Sequence, residues 1–370
     1  MPRIETRQID KTFLFFIAGI TLFGLVILAS ASSPMGYERF GDSYYFLKHQ
    51  FLLGLIPGLV AFLITLIVPY HRWRTYALPM LLISVVLLIL VFIPGIGQDF
   101  GTFANSWIAF GDFTFQPSEI AKLTFLFYLA AWMDKRGEKI RGFHSGLIPF
   151  LVLLGIIAVL MILQPDLGTL AIIAAMSFII YFVAGGPILY LFGLGGLGAL
   201  FFGLAIKLSP YRAARFMTFL HPELDPQGIG YQINQALLAI GAGGLFGRGY
   251  GHSLQKFQYL PEVIGDSIFA VMSEELGFIL TALFVLLFLA MLLRGLKIAE
   301  NAPDAFGKYL VVGIMAWFGV QAFINIGSMA GILPITGVPL PFLSYGGTSL
   351  SVSLAAAGVV LNVSKGRSEP

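Results

Sequence analysis

Residues 12–31 read TFLFFIAGITLFGLVILASA, an apolar run without a single charged side chain. Crossing the hydrocarbon core of a bilayer as a helix takes about 20 mostly apolar residues. The run therefore reads as a membrane span. Arg3, Arg7 and Lys11 precede it, and no small-residue cleavage site closes a short apolar core. It is expected to be a retained first span, not a removed signal peptide.

The same pattern recurs near 51–69, 77–95, 117–133, 147–163, 167–184, 187–207, 268–293, 309–330 and 345–363. Hydrophobic residues make up 58% of the chain and charged residues 11%, against roughly 25% charged in soluble domains. The expected fold is all-α: one polytopic membrane domain over 1–370, with about ten transmembrane helices. Gly193, Gly195, Gly196 and Gly198 in the seventh run are expected to let helix backbones pack closely.

The formal net charge is only +3, so position matters more than sum. No basic helix or ribbon is present to grip phosphates, and nucleic acid is not an expected partner. With the N-terminus inside, the inner segments collect Arg3, Arg7, Lys11, Arg72, Arg74, Lys135, Arg136, Lys139, Arg141, Arg294, Lys297, Lys308, Lys365 and Arg367. The short outer loops hold only Arg39 and Lys48. Positive charge marks the cytoplasmic side, which predicts both termini in the cytoplasm. Three unusual segments then face outward: 96–116, a long extracytoplasmic loop at 208–267 between spans seven and eight, and the Pro- and Gly-rich 331–344. Long loops in compact proteins are usually functional or disordered, and the aromatic content here argues for function. No internal repeat relates the two halves, which weakens a transporter reading.

Absence of cysteine excludes disulfides and thiolate chemistry. His71, His144 and His221 lack metal-ligand spacing, so no zinc site is expected. GAGGLFGRGYG at 241–251 lacks the ending of a phosphate-binding loop and reads as a glycine-rich turn.

The carboxylates are more informative, because ionisable groups near membrane depth are costly. Asp266 stands where the long loop becomes the eighth span. It would either cap that helix or act as a general base, and Glu262 is the rival base. At least one of Glu274 and Glu275, two turns further on, is expected to face the bundle interior and pair with a cation. Glu119 and Lys122 share one helix face, as an internal salt bridge or a cavity lining. Asp166 would cap the next span or line the same site. Arg212, Arg215, Arg248 and Lys256 give the long loop cationic partners for an anion such as a pyrophosphate.

Four stretches carry a family likeness: QPSEIAKL at 116–123, QPDLGT at 164–169, YLPEVIGDSIFAVMSEELGF at 259–278 and GVPLPFLSYGGTSL at 337–350. From about residue 10 to residue 363 the chain resembles the SEDS family (shape, elongation, division and sporulation) of membrane peptidoglycan glycosyltransferases. SASSPMGYERFGDSYYFLKHQ at 30–50 resembles most the division branch, with the elongation branch the close alternative. The resemblance implies ten helices and the substrate lipid II with its lipid-linked glycan. It implies as partners a class B penicillin-binding protein, further divisome or elongasome membrane proteins, and membrane lipid.

It further implies that Asp266 matches the family's essential acid, and that Glu119 and Lys122 match central-cavity positions. Ser344, Tyr345, Gly346 and Gly347 match an outer-face signature. The leaving pyrophosphate would be met by Arg212, Arg215 or Lys256. No cofactor is required, and Mg²⁺ or Mn²⁺ is admitted. Two departures stand out. Ser106 precedes Trp107 where relatives often carry Arg, and Ile264-Gly265 precede Asp266 where many carry His-Thr. A lipid flippase and a recruiting scaffold are the competing functions.

Overall fold

The structure, a computed structural model, describes residues 8–98, 106–110, 113–207, 210–221 and 228–366. Helix α1 (Lys11–Phe40) starts at Asp10, whose carboxylate accepts the Phe13 N–H at 2.9 Å. It runs well past the expected membrane boundary, through Pro34, and ends where Gly41 adopts φ 69°. The connection expected as the first outer loop is thus mostly helix. α2 (Tyr45–Ile67) and α3 (Tyr70–Leu90) follow. The all-α expectation holds for the bundle, and the 96–116 segment adds a small antiparallel sheet of β1 (Gly97–Gln98), β2 (Trp107–Phe110) and β3 (Phe113–Phe115). Alternating Trp107-Ile108-Ala109-Phe110 suits such a ribbon, with Ile108 turned inward at 1% exposure.

Next come α4 (Pro117–Arg136), α5 (Phe143–Leu163), α6 (Leu167–Val183) and α7 (Ile188–Lys207). The long connection between the seventh and eighth expected spans carries α8 (Pro210–Leu220) and α9 (Ile229–Ala242). α10 (Ile268–Glu300), α11 (Ala305–Met329) and α12 (Gly347–Ser364) complete the chain. Each expected span coincides with one helix. Among the described residues seven (α1, α2, α3, α5, α10, α11 and α12) are long and apolar enough to cross a membrane by length and composition. In α2 and α5 a widened π turn, Phe51–Leu55 and Phe143–Leu147, lies just before Pro57 and Pro149. A proline ring collides with the carbonyl four residues back, and a wider turn relieves that.

α11 is the hub, packed by α4, α6, α10 and α12, with Trp317 and Phe318 fully enclosed. Lipid is as apolar as leucine, so these helices are held by close packing and hydrogen bonds, not by the hydrophobic effect. The tightest seam joins α2 to α12. A Cβ on Gly58 would lie 2.7 Å from Leu354, and one on Gly358 would lie 2.2 Å from Thr65 Oγ1. The expectation for Gly193, Gly195, Gly196 and Gly198 is not met among the described residues, none of which lies within 4 Å of a Cβ built there. α7 sits at the margin of the bundle, where its glycines have no helix to approach.

α10 is broken at Gly277 (φ 75°, ψ 179°), a backbone shape essentially confined to glycine. The glycine-rich turn fills the break. Arg248 and Gly249 donate N–H to the carbonyls of Glu274 and Glu275, each at 3.0 Å. Phe278 and Ile279 donate to Gly244 and Leu245 at 2.8 and 3.2 Å. The groups freed by the break are thereby satisfied, as low-polarity surroundings demand. A Cβ at Gly277 would sit 2.1 Å from the Gly247 nitrogen. Gly277→Ala is therefore expected to destabilise by at least about 1–3 kcal/mol, checked as a lowered unfolding midpoint in detergent.

On the opposite side Asp304 caps α11 through the Gly307 N–H at 2.7 Å. It also takes the Tyr70 hydroxyl at 2.6 Å and lies 2.7 Å from His71 Nε2. Burial pushes its carboxyl up, but these bonds outweigh it and hold the group below the usual value. A depressed folded-state pKa means stability present above the unfolded value, about 3.9, and lost as pH falls through the folded one. An acid titration of stability should show that loss below about pH 4, and Asp304→Asn should flatten it.

Candidate active site

α10 opens at Ile268 with Ser267 in the cap position and no side-chain capping bond, so Asp266 is not the helix cap. The tight turn before it is closed by the Glu262 carbonyl, which accepts from Gly265 and Ser267 at 3.0 and 3.1 Å. Glu262 sits in the left-handed region (φ 50°) with its side chain exposed. Asp266 is 8% exposed. Its Oδ1 lies 3.3 Å from Gln232 Nε2 on α9 and 3.4 Å from Ser267 Oγ. Gln232 also donates to Ser267 Oγ at 3.1 Å. Asn325 on α11 donates to the Asp266 carbonyl at 2.8 Å.

That asparagine belongs to a polar file on α11. Trp317, Gln321 and Asn325 lie four residues apart and share one face. Gln321 Oε1 accepts from Trp317 Nε1 at 2.6 Å and from Lys122 Nζ at 2.9 Å. The Gln321 amide donates to the Pro339 carbonyl, and Asn325 donates to that of Val338, both at 2.8 Å. Lys122 closes on Glu119 at 2.8 Å, with 1% and 2% of the two side chains exposed, and stands 4.7 Å from the Trp317 ring. The file therefore links the Glu119–Lys122 pair, the 338–339 peptide and the backbone of Asp266.

Asp166 caps α6 through the Thr169 N–H at 3.0 Å and lies near enough to Lys122 and Glu119 to feel both charges. Among the described residues no hydrogen-bond donor meets the buried oxygens Glu119 Oε2 and Asp166 Oδ2. Ser344 is enclosed and structural: its Oγ accepts from the Leu340 N–H at 2.8 Å, tightening the 340–344 turn. Tyr345 donates its backbone N–H to Ile264 at 2.8 Å, pinning the 337–350 motif beside Asp266. Its hydroxyl meets His49 Nδ1 at 2.7 Å, and burial pushes it up to about 12. Gln50 bridges the same turn, accepting from the Gly346 N–H at 2.9 Å.

The expected anion-binding set changes. Lys256 is enclosed, its Nζ bonded to Glu275 at 2.8 Å, Ser30 Oγ at 2.9 Å and the Gly251 carbonyl at 2.8 Å. It is thus removed from the cations available to a pyrophosphate, because a buried carboxylate faced it first. Glu275 is thereby ion-paired, as expected of at least one acid in this span. Glu274 instead anchors the loop, accepting from Ser253 Oγ at 2.5 Å and from the N–H groups of Leu254 and Gln255. Arg248 lies 3.7 Å from Glu274 and stays partly exposed. α8 carries Arg212 and Arg215, whose side chains lie outside the described residues.

Sequence reasoning missed Gln232, Gln321, Asn325 and the clamp of His49 and Gln50. The spacing of Trp317, Gln321 and Asn325 in an otherwise apolar span was the one available signal.

A family model described as cell cycle protein, covering FtsW, RodA and SpoVE, matches residues 10–369. The chain belongs to this FtsW/RodA/SpoVE family. A probable peptidoglycan glycosyltransferase FtsW of Trichlorobacter lovleyi is 41% identical, over 97% of this chain and 94% of its own length. Stage V sporulation protein E of Bacillus subtilis is 42% identical over 98% and 99%. A chain of a solved peptidoglycan synthase complex, concerned with polymerization and crosslinking, superposes with TM-score 0.79 at 28% identity over 96% and 97%. The crystal structure of the rod shape determining protein RodA of Thermus thermophilus gives 0.72 at 29% identity, over 98% of both chains. The SEDS resemblance and the polytopic fold therefore stand. Within the FtsW/RodA/SpoVE family, the FtsW relatives bear out the division-like reading of 30–50.

Proposed function

We propose that this family member polymerises lipid II into glycan strands at the outer face of the bacterial cytoplasmic membrane during division. Both termini would lie in the cytoplasm. The observation that carries the reading is the setting of Asp266. It is an almost enclosed carboxylate just before the start of α10, with its side chain oriented by Gln232 and its backbone by Asn325. Asp266 takes the proton from the acceptor's GlcNAc 4-hydroxyl. That oxygen attacks the anomeric MurNAc carbon of the lipid-linked chain on the face opposite the leaving group. The centre inverts and undecaprenyl pyrophosphate departs.

One base and a stabilised leaving group suffice, and charge stabilisation of the leaving group is often the largest catalytic term. Arg212 and Arg215 on α8 are assigned to the pyrophosphate. Glu119 and Asp166 are assigned to the sugar end of the substrate, with Lys122 keeping Glu119 in place. Among the described residues no three His, Asp or Glu side chains gather at one point. The described residues thus build no cation cage of their own.

Keeping both polyprenyl tails in lipid turns the encounter into a search in two dimensions and orients the sugars. The partner is a class B penicillin-binding protein that crosslinks the strands, alongside other division proteins. The same chemistry in elongation is the second setting. A flippase needs a polar path across the whole bilayer. Here Glu119, Lys122, Asp166 and Asp266 gather toward one end of the bundle, which favours interfacial chemistry.

The test is strand formation from lipid II by the purified chain with its cognate penicillin-binding protein, transpeptidase blocked. Wild type is compared with Asp266→Ala and Glu262→Ala. Loss in Asp266→Ala alone is expected. Polymer surviving that change moves the base to Glu262, and labelled lipid II translocation without polymer moves the function to transport.

A further inference from the structure

We propose a second ligand site, at the far end of α4 from Glu119: a pocket that holds the phosphodiester headgroup of an anionic phospholipid. It rests on the orientation proposed above, which puts this end in the cytoplasmic leaflet. α4 stops at Arg136, Gly137 turns the chain at φ 52°, and a tight 3₁₀ turn (Gly137–Arg141) folds back beneath it. Between helix end and turn lies a cavity of about 310 Å³ lined by Trp132, Lys135, Arg136 and Lys139.

The wall is rigid. Ile140 is fully buried and its carbonyl accepts the Tyr181 hydroxyl at 3.0 Å. The arginine is set before any ligand arrives: its guanidinium lies over the Trp132 ring at 5.1 Å and donates Nη1–H to the Ser145 carbonyl at 2.9 Å. One edge is thereby committed and the rest of the fork is left for a ligand. The nearest acid in sequence, Asp134, is taken by Arg74 at 2.8 Å, and Glu138 on the turn is exposed.

A general excess of inner positive charge accounts for the number of cations here. It does not account for a cavity with an arginine fixed on its tryptophan wall. An arginine fork matches two phosphate oxygens, the two lysines add point charges, and an indole is at home at headgroup level. Basic pockets between membrane helices on the cytoplasmic side take anionic headgroups in this way. The membrane supplies such a group at the very level where α4 ends, which favours lipid over a soluble phosphate.

The experiment places the full chain in nanodiscs of phosphatidylcholine with phosphatidylglycerol and reads retained lipid by native mass spectrometry. Wild type should keep phosphatidylglycerol in preference to phosphatidylcholine. The Lys135→Gln/Lys139→Gln variant should lose about tenfold of that preference with an unchanged melting temperature. Arg136→Lys, which keeps the charge but not the fork, should lose part of it. An undiminished preference in the double variant overturns the site. Inorganic phosphate binding as tightly as the lipid in detergent overturns its assignment to lipid. Because the chain has no cysteine, Lys139→Cys reports the side of the membrane by impermeant labelling in cells. Labelling from outside would defeat the orientation while leaving the nanodisc result intact.

Discussion

Asp266→Asn is expected to slow strand formation by about 10²–10⁴-fold, the usual contribution of a positioned general base, while the protein still folds. The amide keeps the shape of the carboxylate. The backbone bond from Asn325 does not depend on the side chain at all. What disappears is the ability to accept the sugar's proton. Gln232, 3.3 Å from Oδ1, can rotate its own amide to face the new group. The two measurements that matter are single-turnover polymerisation of lipid II and the melting temperature of the same preparation. A large rate loss with an unmoved melting temperature supports the assignment. Full activity would mean that Asp266 only shapes the turn, and Glu262→Gln would then be the variant to follow.

Lys256→Met carries the second large effect, and it falls on stability. Lys256 and Glu275 are 3% and 0% exposed and 2.8 Å apart. Removing one member of such a pair leaves an uncompensated buried charge, at a cost of about 3–5 kcal/mol. Ser30 keeps its bonds to Glu275 at 2.6 and 2.8 Å, which softens but does not cancel the loss. The pair also ties the strand of chain that leads to Asp266 onto α1 and α10, so its rupture loosens the outer loop. Unfolding midpoints of Lys256→Met, Glu275→Gln and the double variant form a cycle in which the double should recover much of the cost. A Lys256→Met protein of normal stability but low activity would return this lysine to the pyrophosphate.

The largest features of the fold can be read along the chain. Apolar runs such as 12–31 place the helices, because a bilayer leaves a backbone few ways to satisfy its N–H and C=O groups. Local chemistry places the helix starts: Asp10 and Asp166 accept N–H groups three residues on. The glycine-rich 241–251 is legible as a turn, though not what it turns against. The family motifs mark Asp266 and the Glu119–Lys122 pair, since Glu119 and Lys122 are close in sequence and Asp266 lies within the distinctive stretch 259–278.

Everything that depends on which side chains meet across the bundle was decided by the tertiary structure alone. Lys256 looked available for an anion because Glu275 is 19 residues away in sequence and 2.8 Å away in space. Gln232 and Asn325 are unremarkable one at a time, and gain meaning only where α9 and α11 converge on Asp266. The glycines of α7 and those of the α2–α12 seam look alike in sequence, and only packing separates them. Helix formation is a short-range matter of spacing and capping, which a sequence states directly. A buried polar contact needs two distant residues to be desolvated together, and no local pattern encodes the partner.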